Sequence, residues 1–139
     1  MAQRPIDEQT KGDQNGMSEE EITEARADRV YQGWADERKS DVQKDLRNLG
    51  QRTPEEAVES ARRFAESGDA NLAVVQLEQT GLSVLEKRAL LVRALENSIR
   101  NIETDPRYDE ESRAAAIKQA KRSIWHLNGN DLPYPKELQ

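Results

Sequence analysis

Large apolar residues are few in this chain, and they are concentrated in its second half. Leu, Ile, Val and Phe account for 26 of the 139 residues, about 19%, which is close to the composition at which chains stop folding alone. Residues 57–127 hold 18 of the 26, and residues 1–56 hold only six. Because only the second half can supply a core, we expect the charged first half to dock onto that core or onto another molecule.

The composition describes a highly charged chain. Charged residues make up 35% of it, aromatic residues 4%, and there is no cysteine. No segment approaches the roughly 18 consecutive apolar residues of a membrane span, and residues 1–16 lack the apolar stretch of a secretory signal. We therefore expect a cytoplasmic protein with no membrane partner.

Helical periodicity and the lack of alternating segments predict an all-α fold. We expect a small antiparallel bundle of three to four helices, preceded by a long N-terminal helical arm and followed by an extended tail. The boundaries are a disordered leader at 1–17, the charged arm at 18–50, the bundle at 53–128 and the tail at 129–139.

Capping signals place the helix starts. Ser18, Thr53 and Ser83 are each followed three residues later by Glu, the pattern of a capping box. Asp69 and the acidic run at 109–111 are further start signals. Glycines suited to helix ends follow at Gly50, Gly68, Gly81 and Gly129. The arm should be helical to Leu49, with a bend or break between residues 33 and 41.

The expected inner faces follow from the helical spacing of apolar residues. In chain order they are Ala57, Ala61, Phe64 and Ala65; Leu72, Ala73, Val75 and Leu77; Leu85, Val92, Leu95, Ile99 and Ile102; and Ile117, Ala120, Ile124 and Leu127.

The segment Ala57–Thr80 resembles one tetratricopeptide-type helix pair. The resemblance rests on Ala61, Phe64, Gly68, Ala73 and Leu77, which match the small, aromatic, glycine and apolar positions of that pattern. Such pairs need stacked copies to bury their faces, and residues 85–127 do not repeat the pattern. We interpret the segment as a generic helical hairpin.

Catalytic and ligand-binding motifs are lacking. His126 is the only histidine and lies near a predicted helix end, where we expect capping. Asp105 and residues 109–111 form an acidic group, but its spacing fits a loop and a first helical turn rather than a calcium loop. No glycine belongs to a phosphate-binding loop. We expect no catalytic residue, cofactor, metal or small-molecule substrate, and hence no enzyme.

The arm carries a thin apolar stripe with two aromatic residues, which suits an anchor in a partner's pocket. Two interpretations are open: the stripe packs on the chain's own core, or it binds another protein or a second copy. The predicted protein-binding residues are Val30, Tyr31, Trp34, Val42, Leu46, Leu49 and Trp125.

The last predicted helix is basic, although the net charge of the chain is −6. A basic amphipathic helix can meet nucleic acid, but it can equally be a solvated face whose charge balances an acidic body. The residues concerned are Arg113, Lys118, Lys121 and Arg122.

The sequence thus predicts a non-catalytic protein–protein interaction module that docks through its N-terminal amphipathic helix. Such a module is an adaptor, a regulatory subunit or a small component of a larger assembly. The alternative is a nucleic-acid-associated regulator that uses the basic C-terminal helix, with affinity that falls steeply with salt.

Overall fold

Helices dominate residues 17–139, the range that the computed structural model describes. No strand occurs in this range, so the predicted all-α class is confirmed there. The predicted leader lies outside the described residues, apart from Met17. The elements are α1 (Glu19–Glu37), α2 (Lys39–Leu49), α3 (Pro54–Ser67), α4 (Ala70–Leu77), α5 (Val84–Thr104), α6 (Glu110–Leu127) and a final 3-10 turn (Lys136–Leu138).

Side-chain caps begin the helices where the sequence predicts them. Ser18, Thr53 and Ser83 each accept a hydrogen bond from the backbone N–H of the glutamate three residues later, and that glutamate accepts one in return. Asp69 and Asp109 cap α4 and α6 with a side-chain oxygen. These bonds satisfy donors that a helix start leaves unpaired, so short-range sequence fixes every α-helix start described except that of α2.

The predicted break in the first helical segment occurs at Arg38, while Gly33 lies inside α1. The Arg38 guanidinium donates to the carbonyl of Trp34 at 2.9 Å and lies 4.4 Å from the centre of its indole ring. Its Nε donates to Asn71 of α4 at 3.0 Å. Arg38 therefore turns the chain from the path of α1 onto the surface of α4.

Helix α5 is central, since α1, α3, α4 and α6 all contact it. Alanines supply much of the core around it and let the helix backbones approach closely. The Cβ of any residue at position 68 would overlap α5, so only Gly68 fits there. The main core cluster comprises Tyr31, Ala35, Ala61, Val74, Leu77, Leu91, Leu95 and Leu127.

The long N-terminal arm and the three-to-four-helix bundle are not confirmed. Helix α1 packs against α4, α5 and α6, and Tyr31 is only 1% exposed. Arg88, a buried residue of α5, donates to Asp28 at 3.1 Å, to Glu24, and to the carbonyl of Leu127 at 3.1 Å. The bundle consequently includes α1.

The predicted inner faces are wrong at two positions, Leu72 and Leu85, which are exposed. Leu72 is 43% exposed, because α4 buries the run 73–77 against several neighbours and leaves its first turn open. Leu85 is 60% exposed, because the residues that α5 buries begin at Arg88. The predicted face of α3 is correct: Ala57, Ala61 and Ala65 are buried and Phe64 is half-buried.

The C-terminal segment packs back on α6, which the prediction of an extended tail did not anticipate. Arg122 donates to the carbonyl of Leu138 at 2.7 Å, and Lys118 donates to that of Gln139 at 2.7 Å. His126 and Tyr134 share a hydrogen bond of 2.8 Å between Nε2 and Oη. These contacts bury Leu138 and end the segment in the 3-10 turn.

Candidate protein-interaction surface

Helix α2 is the least covered α-helix in residues 17–139. It is the one α-helix in this range with no buried residue, and its neighbours are α4 and, at the junction, α1. Much of its surface therefore faces solvent, although its sequence is amphipathic.

One face of α2 is apolar and lies outside the core clusters of the described residues. Val42, Leu46 and Leu49 are spaced by four and three residues, which places them on the same side of a helix. Val42 and Leu46 are half-buried, and Leu49 is 59% exposed. None of the three packs against the core clusters. We call these three residues the α2 face.

Hydrogen bonds from α4 and the turn after it reach Asp45, which lies on the same side of α2 as Val42 and Leu49. The Asp45 carboxylate accepts hydrogen bonds from Gln76 at 3.0 Å and from Gln79 at 2.8 Å. Since Gln76 is itself buried, this pairing holds α2 in a fixed position while Leu49, at the end of the helix, remains exposed.

A groove of about 250 Å³ runs between α2 and α4. The exposed side chain of Leu72 and part of Val75 provide its apolar surface. Its remaining lining is polar and comes from Asp41, Lys44, Asp45, Asn48 and Asn71.

A second groove, of about 510 Å³, lies between the end of α2 and α3, and Leu49 lines it. Arg52 donates to the Ser60 hydroxyl at 2.9 Å and also to Gln76, while Arg63 donates to the same hydroxyl at 3.3 Å. Ser60 is only 7% exposed. We call Arg52, Ser60 and Arg63 the Arg52–Arg63 notch.

The notch was not predicted from the sequence. The spacing of Ser60 and Arg63 on α3 is a local signal, because residues three apart are neighbours on a helix. Arg52, however, comes from the α2–α3 connection, and only the fold brings it to Ser60.

The first three predicted protein-binding residues lie against the chain's own core. Val30 and Trp34 are half-buried and pack on it, and Tyr31 belongs to it. Tyr31 donates to Glu78 at 2.8 Å, and its burial, together with the bond to that carboxylate and its charge, raises the pKa of the phenol. Of the two open interpretations, packing on the core describes these three residues.

Trp125 is half-buried on α6, and its carbonyl accepts hydrogen bonds from the backbone and side chain of Asn130. Its indole N–H is buried without a hydrogen-bond partner among the described residues. Trp125 therefore offers a partner only part of its ring.

Three of the four predicted nucleic-acid-binding residues hold the chain's own backbone. Arg113 donates to the carbonyls of Ile102, Asp105 and Tyr108 at 2.8–3.1 Å and clamps the α5–α6 connection. Lys118 and Arg122 hold the C-terminal segment, as described above. The fourth residue, Lys121, is exposed.

Metal clusters and membrane-crossing helices are both absent from the described range. Within residues 17–139 no group of three or more His, Asp or Glu side chains is placed to hold a metal ion. Of the helices in that range, none has both the length and the hydropathy needed to cross a bilayer.

The comparisons with known proteins give no lead: no protein-family model, curated protein or solved structure matches the chain.

Proposed function

We propose that the protein is a non-catalytic interaction module that docks a partner protein through the α2 face. It would act as an adaptor, a regulatory subunit or a small component of a larger assembly. The observation that carries the proposal is an apolar helix face, Val42, Leu46 and Leu49, that lies outside the core clusters and ends in the exposed Leu49, on a helix held in place by polar bonds.

The energetics favour a partner at this face. Isolated exposed apolar residues are common and need no explanation, but Val42, Leu46 and Leu49 are neighbours on one helix. The exposed Leu72 lies nearby and lines the groove between α2 and α4. Burying one leucine fully is worth about 1.5–3 kcal/mol relative to leaving it exposed. Covering the exposed parts of Leu49 and Leu72 would thus contribute to the free energy of a complex.

The proposal narrows the surface predicted from the sequence. Val42, Leu46 and Leu49 remain as proposed contacts, whereas Tyr31 has almost no exposed surface and Val30 and Trp34 pack on the core cluster. The nucleic-acid alternative has less support, because Arg113, Lys118 and Arg122 are engaged in intramolecular bonds.

Quantitative co-purification from the native cells, combined with sedimentation equilibrium for self-association, tests the proposal. Leu49→Ser should deplete the bound partner, or dissociate the self-assembled form. Leu85→Ser is the matched control, since Leu85 is also helical and nearly equally exposed, at 60% against 59%. Equal effects of the two variants, or none from either, contradict docking through the α2 face.

A further inference from the structure

We propose that the Arg52–Arg63 notch receives a carboxylate side chain of the partner protein. This inference rests on the proposed function and deepens it by naming the chemistry that the partner must present. It starts from two guanidinium groups that converge on one buried hydroxyl.

Both guanidinium groups retain donors for a ligand. The Nη1 of Arg52 bonds to Ser60 and Gln76, while its Nε and Nη2 make no hydrogen bond to another described residue. Arg63 uses only Nη2, toward Ser60. Guanidinium N–H groups form a planar fork that matches the two oxygens of a carboxylate. The notch therefore offers several convergent donors to one anionic group.

Neither arginine has a carboxylate partner within residues 17–139. Five other cations in this range, at positions 38, 87, 88, 93 and 107, form ion pairs there. Arg52 is half-buried, where charges are screened less than in bulk water. An incoming carboxylate would supply the missing counter-charge.

The notch is held in position before any ligand arrives. Gln76, which accepts from Arg52, is 3% exposed and donates in turn to Asp45 of α2. Ser60 is fixed on α3 and receives both arginines. A side chain whose position is already fixed loses less conformational entropy on binding.

Two acidic residues also line the groove that contains the notch. The Glu56 carboxylate is engaged by the backbone N–H of Thr53 at 2.9 Å, whereas Glu59 is exposed. Their negative charge opposes the binding of any anion and offsets part of the attraction of the two arginines.

The neighbouring surface specifies what should flank that acid. Leu49 belongs to the α2 face and lines the notch as well. A partner segment that covers both must place an apolar side chain beside its acidic one.

Selection of random displayed peptides on the immobilised full-length protein tests the inference. We expect enrichment of peptides that carry Asp or Glu next to a large apolar residue. Arg63→Gln should weaken a selected peptide about tenfold, and changing the peptide's acid to its amide should have a smaller effect on that variant than on the native protein, because only Arg52 then remains to bind the acid. Arg63 is exposed, so its replacement should leave the fold intact.

Two further variants sharpen the result. Arg62→Gln, at an exposed neighbour of Arg63 that lines a different groove, is the control and should leave affinity unchanged. Glu59→Gln should strengthen binding, because it removes repulsion. Peptides that lose affinity on Leu49→Ser yet lack an acid and ignore Arg63→Gln overturn the inference and spare the proposed function. A selection that yields no peptide sensitive to Leu49→Ser overturns both.

Discussion

The guanidinium of Arg88 on α5 donates to the carboxylate of Asp28 on α1 across 3.1 Å, and the two residues are 60 positions apart in the chain. Arg88 is buried and also bonds to Glu24 and to the carbonyl of Leu127 at the end of α6. One side chain therefore joins three helices, and it makes α1 part of the bundle.

Removing the two carboxylates of this network should lower the free energy of unfolding more than removing the arginine. The side chains of Glu24 and Asp28 are about half exposed, while that of Arg88 is 7% exposed. The double variant Glu24→Gln/Asp28→Asn leaves a buried cation without a counter-charge, which we expect to cost about 3–5 kcal/mol. Arg88→Met removes the cation and lets both carboxylates return to water, so it should cost less. Urea denaturation of both variants measures the difference, and a larger loss for Arg88→Met would contradict this account.

Helix boundaries were predictable from the sequence because the signals that set them are local. The capping boxes at Ser18, Thr53 and Ser83 each span four residues, and all three form as expected. The break near residue 38 was predicted within a few positions, although the hydrogen bond from Arg38 to Asn71 of α4 requires the fold.

The docking of α1 was not predictable from a count of large apolar residues. Its buried positions are Ala27, Tyr31 and Ala35, two of which are small. Small residues permit close helix packing, which contributes dispersion contacts that such a count omits. The network around Arg88 joins distant positions and leaves no periodic signal in the chain.

A close approach between Thr23 of α1 and Gly129, just after α6, can be tested by substituting the glycine. Gly129 has φ +86°, and a Cβ there would overlap the backbone of Thr23. Gly50 has φ +75° with open space around its Cβ position. Gly50→Ala should cost about 1–2 kcal/mol for the backbone conformation alone, and Gly129→Ala should cost clearly more. Thermal unfolding of both variants measures this, and equal losses would mean that Thr23 moves aside freely.

The α5–α6 connection should make the fold sensitive to acid. Hydrogen bonds from the side chain and backbone of Arg107 lower the pKa of Asp105 from 3.8 to about 2. A carboxyl whose pKa is lower in the folded state stabilises the fold above its unfolded pKa, and that stabilisation disappears as the pH falls from about 4 to about 2. Asp105→Asn should therefore flatten the dependence of unfolding free energy on pH in this window. Circular dichroism melts at a series of pH values provide the comparison, and an unchanged slope would exclude this role for Asp105.

The proposed contacts were predictable only in part. Val42, Leu46 and Leu49 follow from helical spacing, because an apolar stripe is visible in the sequence whether or not anything covers it. Which part of that stripe the core covers depends on the break at Arg38, since α1 turns inward and α2 lies on α4.

A photo-crosslinking residue at position 49, compared with the same residue at position 85, tests the central claim most directly. Both positions are helical and nearly equally exposed, so they differ in their surroundings rather than in accessibility. In the native cells we predict one discrete covalent adduct from position 49, of either a partner or a second copy, and none from position 85. Adducts from both positions alike, or from position 85 alone, would contradict the assignment of the α2 face as the docking surface.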